Sequence, residues 1–178
     1  MQKSARDIIR EKYPTGLRGN WRGANLSRMK LDGARFAGSN LGRVSFKRSD
    51  LSYANFSRCD LTRAKFDHAN LTGASFRDAT LRYASFDGAN LADTWWIGAR
   101  ISKANFNGIK NAIAFPNVGS RRATLLVVKH DTGLCFKTGC FWGNIDEFYA
   151  AVLETHGIFS PYGWQYRCLI LCAKVALG

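Results

Sequence analysis

The amino-acid sequence predicts an all-β solenoid, a stack of coils that change direction every five residues, over residues 19–110. Three observations support this prediction. A large apolar residue stands at every fifth position from Trp21 to Phe106, 18 times without exception. Alanine stands two places before that residue in 11 of the 18 cases. A period of five matches neither the 3.6-residue period of an α-helix nor the two-residue period of a flat strand.

Each five-residue unit is therefore expected to form one side of a coil. The large residue points inward, the small residue fills the corner, and the other three face solvent. Backbone groups then pair with the coils above and below, at about the 4.8 Å spacing of neighbouring strands. Leucine and phenylalanine alternate at the inward positions from Leu31 to Phe86. An even number of sides stacks like on like, whereas three sides would stack leucine on phenylalanine, so we expect an even number.

Several stretches carry a recognisable signature, namely residues 69–73 (ANLTG), 89–91 (ANL) and 54–56 (ANF). They resemble the A-(D/N)-L-x-x motif of pentapeptide-repeat proteins. The resemblance covers residues 19–108, and it is specific because the motif recurs so often. It implies a right-handed quadrilateral β-helix with four pentapeptides per coil. Eighteen repeats would then make about 4.5 coils, a rod roughly 20 Å long.

A solenoid must cover both open ends, because exposed apolar core and unpaired edges are unfavourable. Residues 1–18 are predicted to form an N-terminal helical cap, with Ile8, Ile9 and Tyr13 as its core contacts. Residues 111–178 are predicted to form a C-terminal hairpin-plus-helices cap. The alternative for its apolar last helix is to form a homodimer.

Within this C-terminal segment, residues 123–129 and 134–137 are predicted to be strands joined by a turn at 130–133. Asn144 and Glu147 have the spacing of a capping box, which predicts a helix over about 145–155 that stops near Gly157. A second helix is predicted to start at Ser160 and Pro161 and to run through Cys172. Residues 139–148 (GCFWGNIDEF) and 154–157 (ETHG) resemble tails on some bacterial and phage pentapeptide-repeat proteins.

The composition narrows the functional classes. The formal net charge is +13, and by our count +8 of it lies in residues 21–110. Such a charge attracts polyanions. No apolar run is long enough for a membrane helix, and the N-terminus lacks the apolar core of a signal peptide. We therefore expect no membrane partner and a cytoplasmic location, in bacteria or in a phage-infected host.

If residues twenty apart stack, the positive side chains concentrate on two neighbouring faces. The first basic face, centred on residues 21, 41, 61, 81 and 101, carries Arg22, Arg43, Arg63, Arg82, Tyr83, Arg100 and Lys103. The second basic face, centred on residues 26, 46, 66 and 86, adds Arg28, Lys47, Arg48, Lys65 and His68. These faces are candidates for binding an anionic partner: nucleic acid, a nucleotide or an acidic protein surface. The alternative is a solvated face with counterions only.

Trp95 and Ile97 flank the inward Trp96 and are therefore expected to face outward. Large exposed apolar groups usually mark an interface. They could contact a partner protein or a second subunit, or the C-terminal hairpin could cover them.

A catalytic or metal site is not predicted, and neither is a cofactor. The best metal-ligand set is His130, Cys135, Cys140 and His156, but it lacks the close C-x-x-C spacing of a zinc knuckle. The five cysteines, an odd number without a disulfide spacing, are expected to be reduced and structural.

The sequence thus predicts a non-enzymatic binding protein with a basic surface for an anionic partner. Two alternatives remain open. One is a phage or plasmid accessory protein that inhibits a host defence or regulatory protein, which the tail resemblance suggests. The other follows the family, in which some members protect or inhibit type II topoisomerases by imitating DNA. The net charge opposes that second alternative because imitation of DNA needs an acidic rod.

Overall fold

The computed structural model describes residues 19–118, 123–131, 133–138, 141–157 and 160–177. The predicted N-terminal helix falls within residues 1–18 and so lies outside the described residues. Across the described residues, no helix combines the length and apolar character needed to cross a bilayer.

The repeats form coils of twenty residues. Parallel bridges join residues twenty apart in an unbroken series, from Asn20 with Asn40 to Asn90 with Lys110. Each side ends in a tight turn, as where Ala54 N donates to Leu51 O at 3.0 Å. Twenty residues with a corner every five make four sides, the even number that the leucine and phenylalanine alternation predicts.

The core consists of stacked like residues. Phe36, Phe56 and Phe76 stack with ring centroids 5.3 Å apart and nearly parallel planes. A second column runs through Phe46, Phe66 and Phe86. The two columns meet edge to face, at 5.6 to 5.8 Å. Offset stacking and edge-to-face contact are the arrangements that aromatic rings prefer, and each pair adds about 0.5–1.5 kcal/mol beyond burial.

After the coils the chain forms four strands and two helices. In order they are β1 (Ala112–Val118), β2 (Ala123–His130), β3 (Gly133–Thr138), β4 (Phe141–Asn144), α1 (Ile145–His156) and α2 (Pro161–Leu177). The strands make one antiparallel sheet in the order β1-β2-β3-β4. Strands β2 and β3 lie where the sequence predicts a hairpin, whereas β1 and β4 were not predicted.

Strand β2 joins the two parts of the core because its side chains alternate between the faces of the sheet. Leu126 and Val128 are fully buried in the cluster that contains the coil residues. Leu125 and Val127 are fully buried in a second cluster with the helices. The sheet therefore lies between the last coil and the two helices.

Helix α1 begins with the expected capping box. The Asn144 side chain accepts hydrogen bonds from the backbone N–H groups of Asp146 and Glu147, and Glu147 accepts one from Asn144 N. The helix ends at Gly157, whose φ of 69° is costly for other residues.

A large-to-small substitution at Phe66 tests the stacked core. Phe66 is fully buried between Phe46 and Phe86, so Phe66→Ala is expected to lower the free energy of unfolding by about 3–5 kcal/mol. Urea denaturation measures this change. Tyr53→Ala is the control, because Tyr53 is 71% exposed and its loss should cost about 0.5 kcal/mol or less. Equal losses in both variants would contradict the inward assignment.

Candidate anion-binding face

The turn geometry of the repeat determines where the basic residues lie. The residue two places after each inward residue has a positive φ in all 18 repeats, from Gly23 to Gly108. Seven of these positions are glycine, which adopts this conformation without strain. The others carry side chains, including Arg43, Arg63 and Lys103, with φ near 60°. Because bridged residues stack, positions 23, 43, 63, 83 and 103 form one column along the first basic face.

A shallow depression of about 540 Å³ lies on this face. Its lining residues are Arg22, Arg43, Asp60, Thr62, Arg63, Thr80, Arg82 and Tyr83. The structure therefore brings five of the predicted site residues together. Sequence analysis missed Asp60, Thr62 and Thr80, although their positions in the twenty-residue register could have identified them.

Tyr83 lies at the centre of a group of cations. The Arg63 guanidinium carbon is 5.5 Å from the Tyr83 ring centroid, the Arg82 carbon 6.0 Å and Lys103 Nζ 5.3 Å. Lys103 Nζ also donates a hydrogen bond to the Tyr83 hydroxyl at 3.3 Å. This hydrogen bond and the Lys103 charge lower the pKa of Tyr83, because both favour the phenolate.

The arginines of the depression are not neutralised by neighbouring acids. Among the described residues, no carboxylate oxygen lies within 4 Å of the guanidinium groups of Arg22, Arg43 or Arg63. The single acid of the lining, Asp60, accepts a hydrogen bond from Thr62 N at 2.9 Å and so is engaged in its own turn. The positive charge of these arginines is therefore not compensated by ion pairs within the described residues.

On the second basic face, unlike in the depression, one of the predicted cations is paired with an acid. Lys47 Nζ forms an ion pair with Asp67 at 2.8 Å, so its charge is largely compensated. Arg28, Arg48 and Lys65 are exposed on this face. Arg100 of the first basic face is also exposed, but it does not line the depression.

Trp95 and Ile97 are 48% and 38% exposed. Trp95 also touches His130 of β2 edge-on, with ring centroids 5.1 Å apart. The hairpin therefore contacts Trp95 but leaves about half of it accessible.

The alternative zinc set does not assemble in the described part of the chain. His130 is buried against Thr94 and Trp95, whereas His156 stacks on Tyr166. Cys140 lies outside the described residues.

The cysteines are not all structural. Cys59 is buried at a small-residue corner, and burial raises the pKa of its thiol to about 11. Cys168 and Cys172 are exposed on α2. The expectation that all five cysteines are structural is therefore wrong for these two, because the buried face of α2 is formed by Tyr166, Ile170 and Ala173.

The contact between Tyr83 and Lys103 can be tested by titration. Lys103→Met removes the hydrogen bond and the charge that stabilise the phenolate, so the pKa of Tyr83 should rise toward its ordinary value. The ultraviolet absorbance of tyrosinate, with a Tyr83→Phe variant subtracted to remove the other five tyrosines, measures this shift. Lys65→Met is the control and should leave the titration unchanged. An unchanged pKa in Lys103→Met would contradict the contact.

Comparison with known proteins agrees with this architecture. The family model "Pentapeptide repeats" matches eight copies, over residues 18–48, 30–66, 39–78, 59–94 and 74–110. No curated protein sequence matches the chain significantly. Among solved structures, a pentapeptide repeat protein from the cyanobacterium Cyanothece 51142 is 22% identical with a TM-score of 0.53, over 58% of this chain and 92% of that one. This likeness shows the fold.

Two further pentapeptide repeat proteins are similar with lower TM-scores. One, from the Arabidopsis thaliana thylakoid lumen, is 30% identical over 51% of this chain and 60% of that one, with a TM-score of 0.42. The other, from Nostoc PCC 7120, is 24% identical over 61% and 98%, with a TM-score of 0.36. Pentapeptide repeat proteins form right-handed quadrilateral β-helices. Since the family model matches more than half of the residues, this chain belongs to the pentapeptide-repeat family.

Proposed function

We propose that this protein is a non-enzymatic binding protein that presents the first basic face to an extended polyanion. Pentapeptide repeat proteins are generally non-enzymatic interaction proteins. The observation that carries the proposal is the convergence of Arg22, Arg43, Arg63 and Arg82 on one depression beside Tyr83.

The backbone conformation places these side chains but does not distinguish them from other turn residues. The turn position has a positive φ in every repeat, and Arg58 and Asp78 occupy it on another face just as Arg43 and Arg63 do on the first basic face. The first basic face is therefore distinguished by the sign and number of its charges and not by backbone strain.

The electrostatics of the face favour a ligand with many negative charges. Like charges one coil apart, at about 4.8 Å, repel by about 1 kcal/mol even in water. An anion that lies along the column relieves this repulsion. The charges run from Arg22 to Lys103 over five stacked positions, roughly 20 Å, which suits a nucleic-acid strand better than a single phosphate.

Charge reversal tests the proposal. The double variant Arg43→Glu with Arg63→Glu is expected to abolish binding to single- or double-stranded nucleic acid. In the unsubstituted protein the affinity should fall steeply with salt, and each lost phosphate contact should reduce the slope of log affinity against log salt by about 1. Fluorescence anisotropy over a salt series measures both effects.

Arg58→Glu is the matched control for this experiment. Arg58 has nearly the same φ, 58° against 59°, and the same turn position as the arginines tested, but its column contains Asp78 and belongs to another face. It should leave binding nearly unchanged. Salt-independent binding, no binding at all, or an equal loss in both variants would overturn the proposal.

A second pair of variants separates binding from stability. Arg43→Gly and Arg63→Gly relieve the left-handed strain, while they increase the entropy of the unfolded chain. The two effects nearly offset each other, so unfolding free energy should stay within about 1 kcal/mol of the parent or rise. Binding should weaken in both. Weakened binding accompanied by a large loss of stability would instead assign the arginines a structural role.

Trp95 and Ile97 favour a second candidate function. Their exposure would suit a protein partner, as in an accessory protein that inhibits a host defence or regulatory protein. Pull-down from a bacterial lysate, with and without nuclease and with Trp95→Ala, distinguishes this candidate from the first. Imitation of DNA toward a topoisomerase is opposed by the +13 charge, because a surface of this sign attracts DNA instead.

The C-terminal segment adds two smaller proposals. Residues 111–178 cap the last coil, which the shared burial of Leu126 and Val128 supports. Helix α2 leaves Leu171 and Val175 exposed by 63% and 90%, and this apolar strip is where a homodimer would form. The oligomeric state in solution tests the second of these.

A further inference from the structure

A histidine and two aspartates meet where the hairpin contacts the solenoid, on a face other than the first basic face. Asp93 belongs to a repeat turn, and His130 and Asp131 lie at the end of β2 and just after it. The backbone holds them together, because Asp93 N donates to Lys129 O at 3.0 Å. Asp131 N donates to Asp93 Oδ1 at 2.8 Å.

The His130 ring is fixed in place and in tautomer. Its side chain is only 3% exposed, and Trp95 and Trp142 contact it edge-on with centroids 5.1 and 5.9 Å away. Nε2 lies 2.9 Å from Thr94 O. A carbonyl oxygen only accepts, so Nε2 must carry the proton and donate it. In the neutral ring, Nδ1 then presents a lone pair.

That lone pair faces further acceptors instead of a donor. Nδ1 is 3.9 Å from Asp93 Oδ1, which is longer than a hydrogen bond. One ligand atom from each of Asp93, His130 and Asp131 lies within 4.8 Å of the others. The backbone N–H of Asp131 satisfies part of the acceptor capacity of Asp93 Oδ1, but the two carboxylates beside the Nδ1 lone pair still form a negative group that a cation between them would stabilise.

The geometry points to a divalent-cation site, for Zn²⁺ or a similar first-row ion, held by His130 Nδ1 and the carboxylates of Asp93 and Asp131. Zinc takes imidazole nitrogen and carboxylate oxygen at about 2.0–2.2 Å, so ligand atoms lie about 3.3 Å apart around it. The ligand atoms here, 3.9 Å apart for Nδ1 and Asp93 Oδ1 and within 4.8 Å overall, would have to move closer when the ion binds. Metal-ligating histidines characteristically donate their other ring N–H to a carbonyl or carboxylate oxygen, as Nε2 does to Thr94 O.

Such an ion would join the solenoid to the C-terminal sheet. One ligand comes from the repeats and two from the hairpin, so the bound cation crosslinks residues 37 and 38 positions apart in the chain. Binding to the folded state alone stabilises that state. The site would therefore act as a clamp, and the proposal does not depend on the function of the basic face.

The test uses the full chain without a histidine tag, in a background with Cys168→Ala and Cys172→Ala. These two exposed thiols would otherwise bind zinc themselves. Calorimetric titration with Zn²⁺ should give one ion per chain. Asp93→Asn and Asp131→Asn should each weaken binding at least about tenfold. At the same concentration, Zn²⁺ should raise the thermal midpoint of the background protein more than that of either variant.

Asp78→Asn is the matched control, because Asp78 has the same turn position and nearly the same φ as Asp93 but no histidine beside it. Its zinc affinity should equal that of the background, and circular dichroism should confirm that all variants fold. Bound Co²⁺ should absorb without a strong thiolate charge-transfer band, since all ligands are nitrogen and oxygen. No zinc binding, or binding that persists unchanged in Asp93→Asn and Asp131→Asn, would overturn the proposal and leave a His130–Asp93 ion pair in its place.

Discussion

The hydrogen bonds between successive coils are the constraint on which the rest of this structure depends. Phe66 N donates to Ser85 O at 2.7 Å, and Ser85 N donates back to Ala64 O at 2.9 Å. This pattern recurs through the solenoid and sets a register of twenty residues. Because the register is a multiple of the five-residue repeat, each residue stacks on its equivalent in the next coil. A property of one repeat position becomes a property of a whole column.

Inside the solenoid this rule produces aromatic columns, and outside it produces columns of charge. The same register that places Phe46 on Phe66 places Arg43 on Arg63. Stacking stabilises the phenylalanines, since parallel offset rings attract. It destabilises the arginines, since like charges repel. The fold therefore accepts an electrostatic cost on the first basic face. The left-handed turn residues do not contribute to this difference between faces, because they occur on all four.

The C-terminal sheet covers the end of the solenoid. Without it, the last coil would expose apolar core and unpaired backbone edges. Strand β2 is buried on both faces, with Leu126 and Val128 against the coils and Leu125 and Val127 against the helices. The sheet thus continues the core of the coils and starts a second one. Its hairpin also carries His130 and Asp131 to Asp93 of the solenoid. The contact between the two parts is consequently polar as well as apolar.

The sequence by itself determined the repeat, the inward residues, the even number of sides and the start of α1, because each depends on contacts between near neighbours or on a strict period. Tertiary structure alone decided the rest. Strands β1 and β4 are short and exist through pairing with β2 and β3. The exposed cysteines of α2 and the meeting of Asp93 with His130 involve residues that no local pattern relates. Contacts between the repeats and the C-terminal elements depend on packing in three dimensions, which the period of the repeat does not encode.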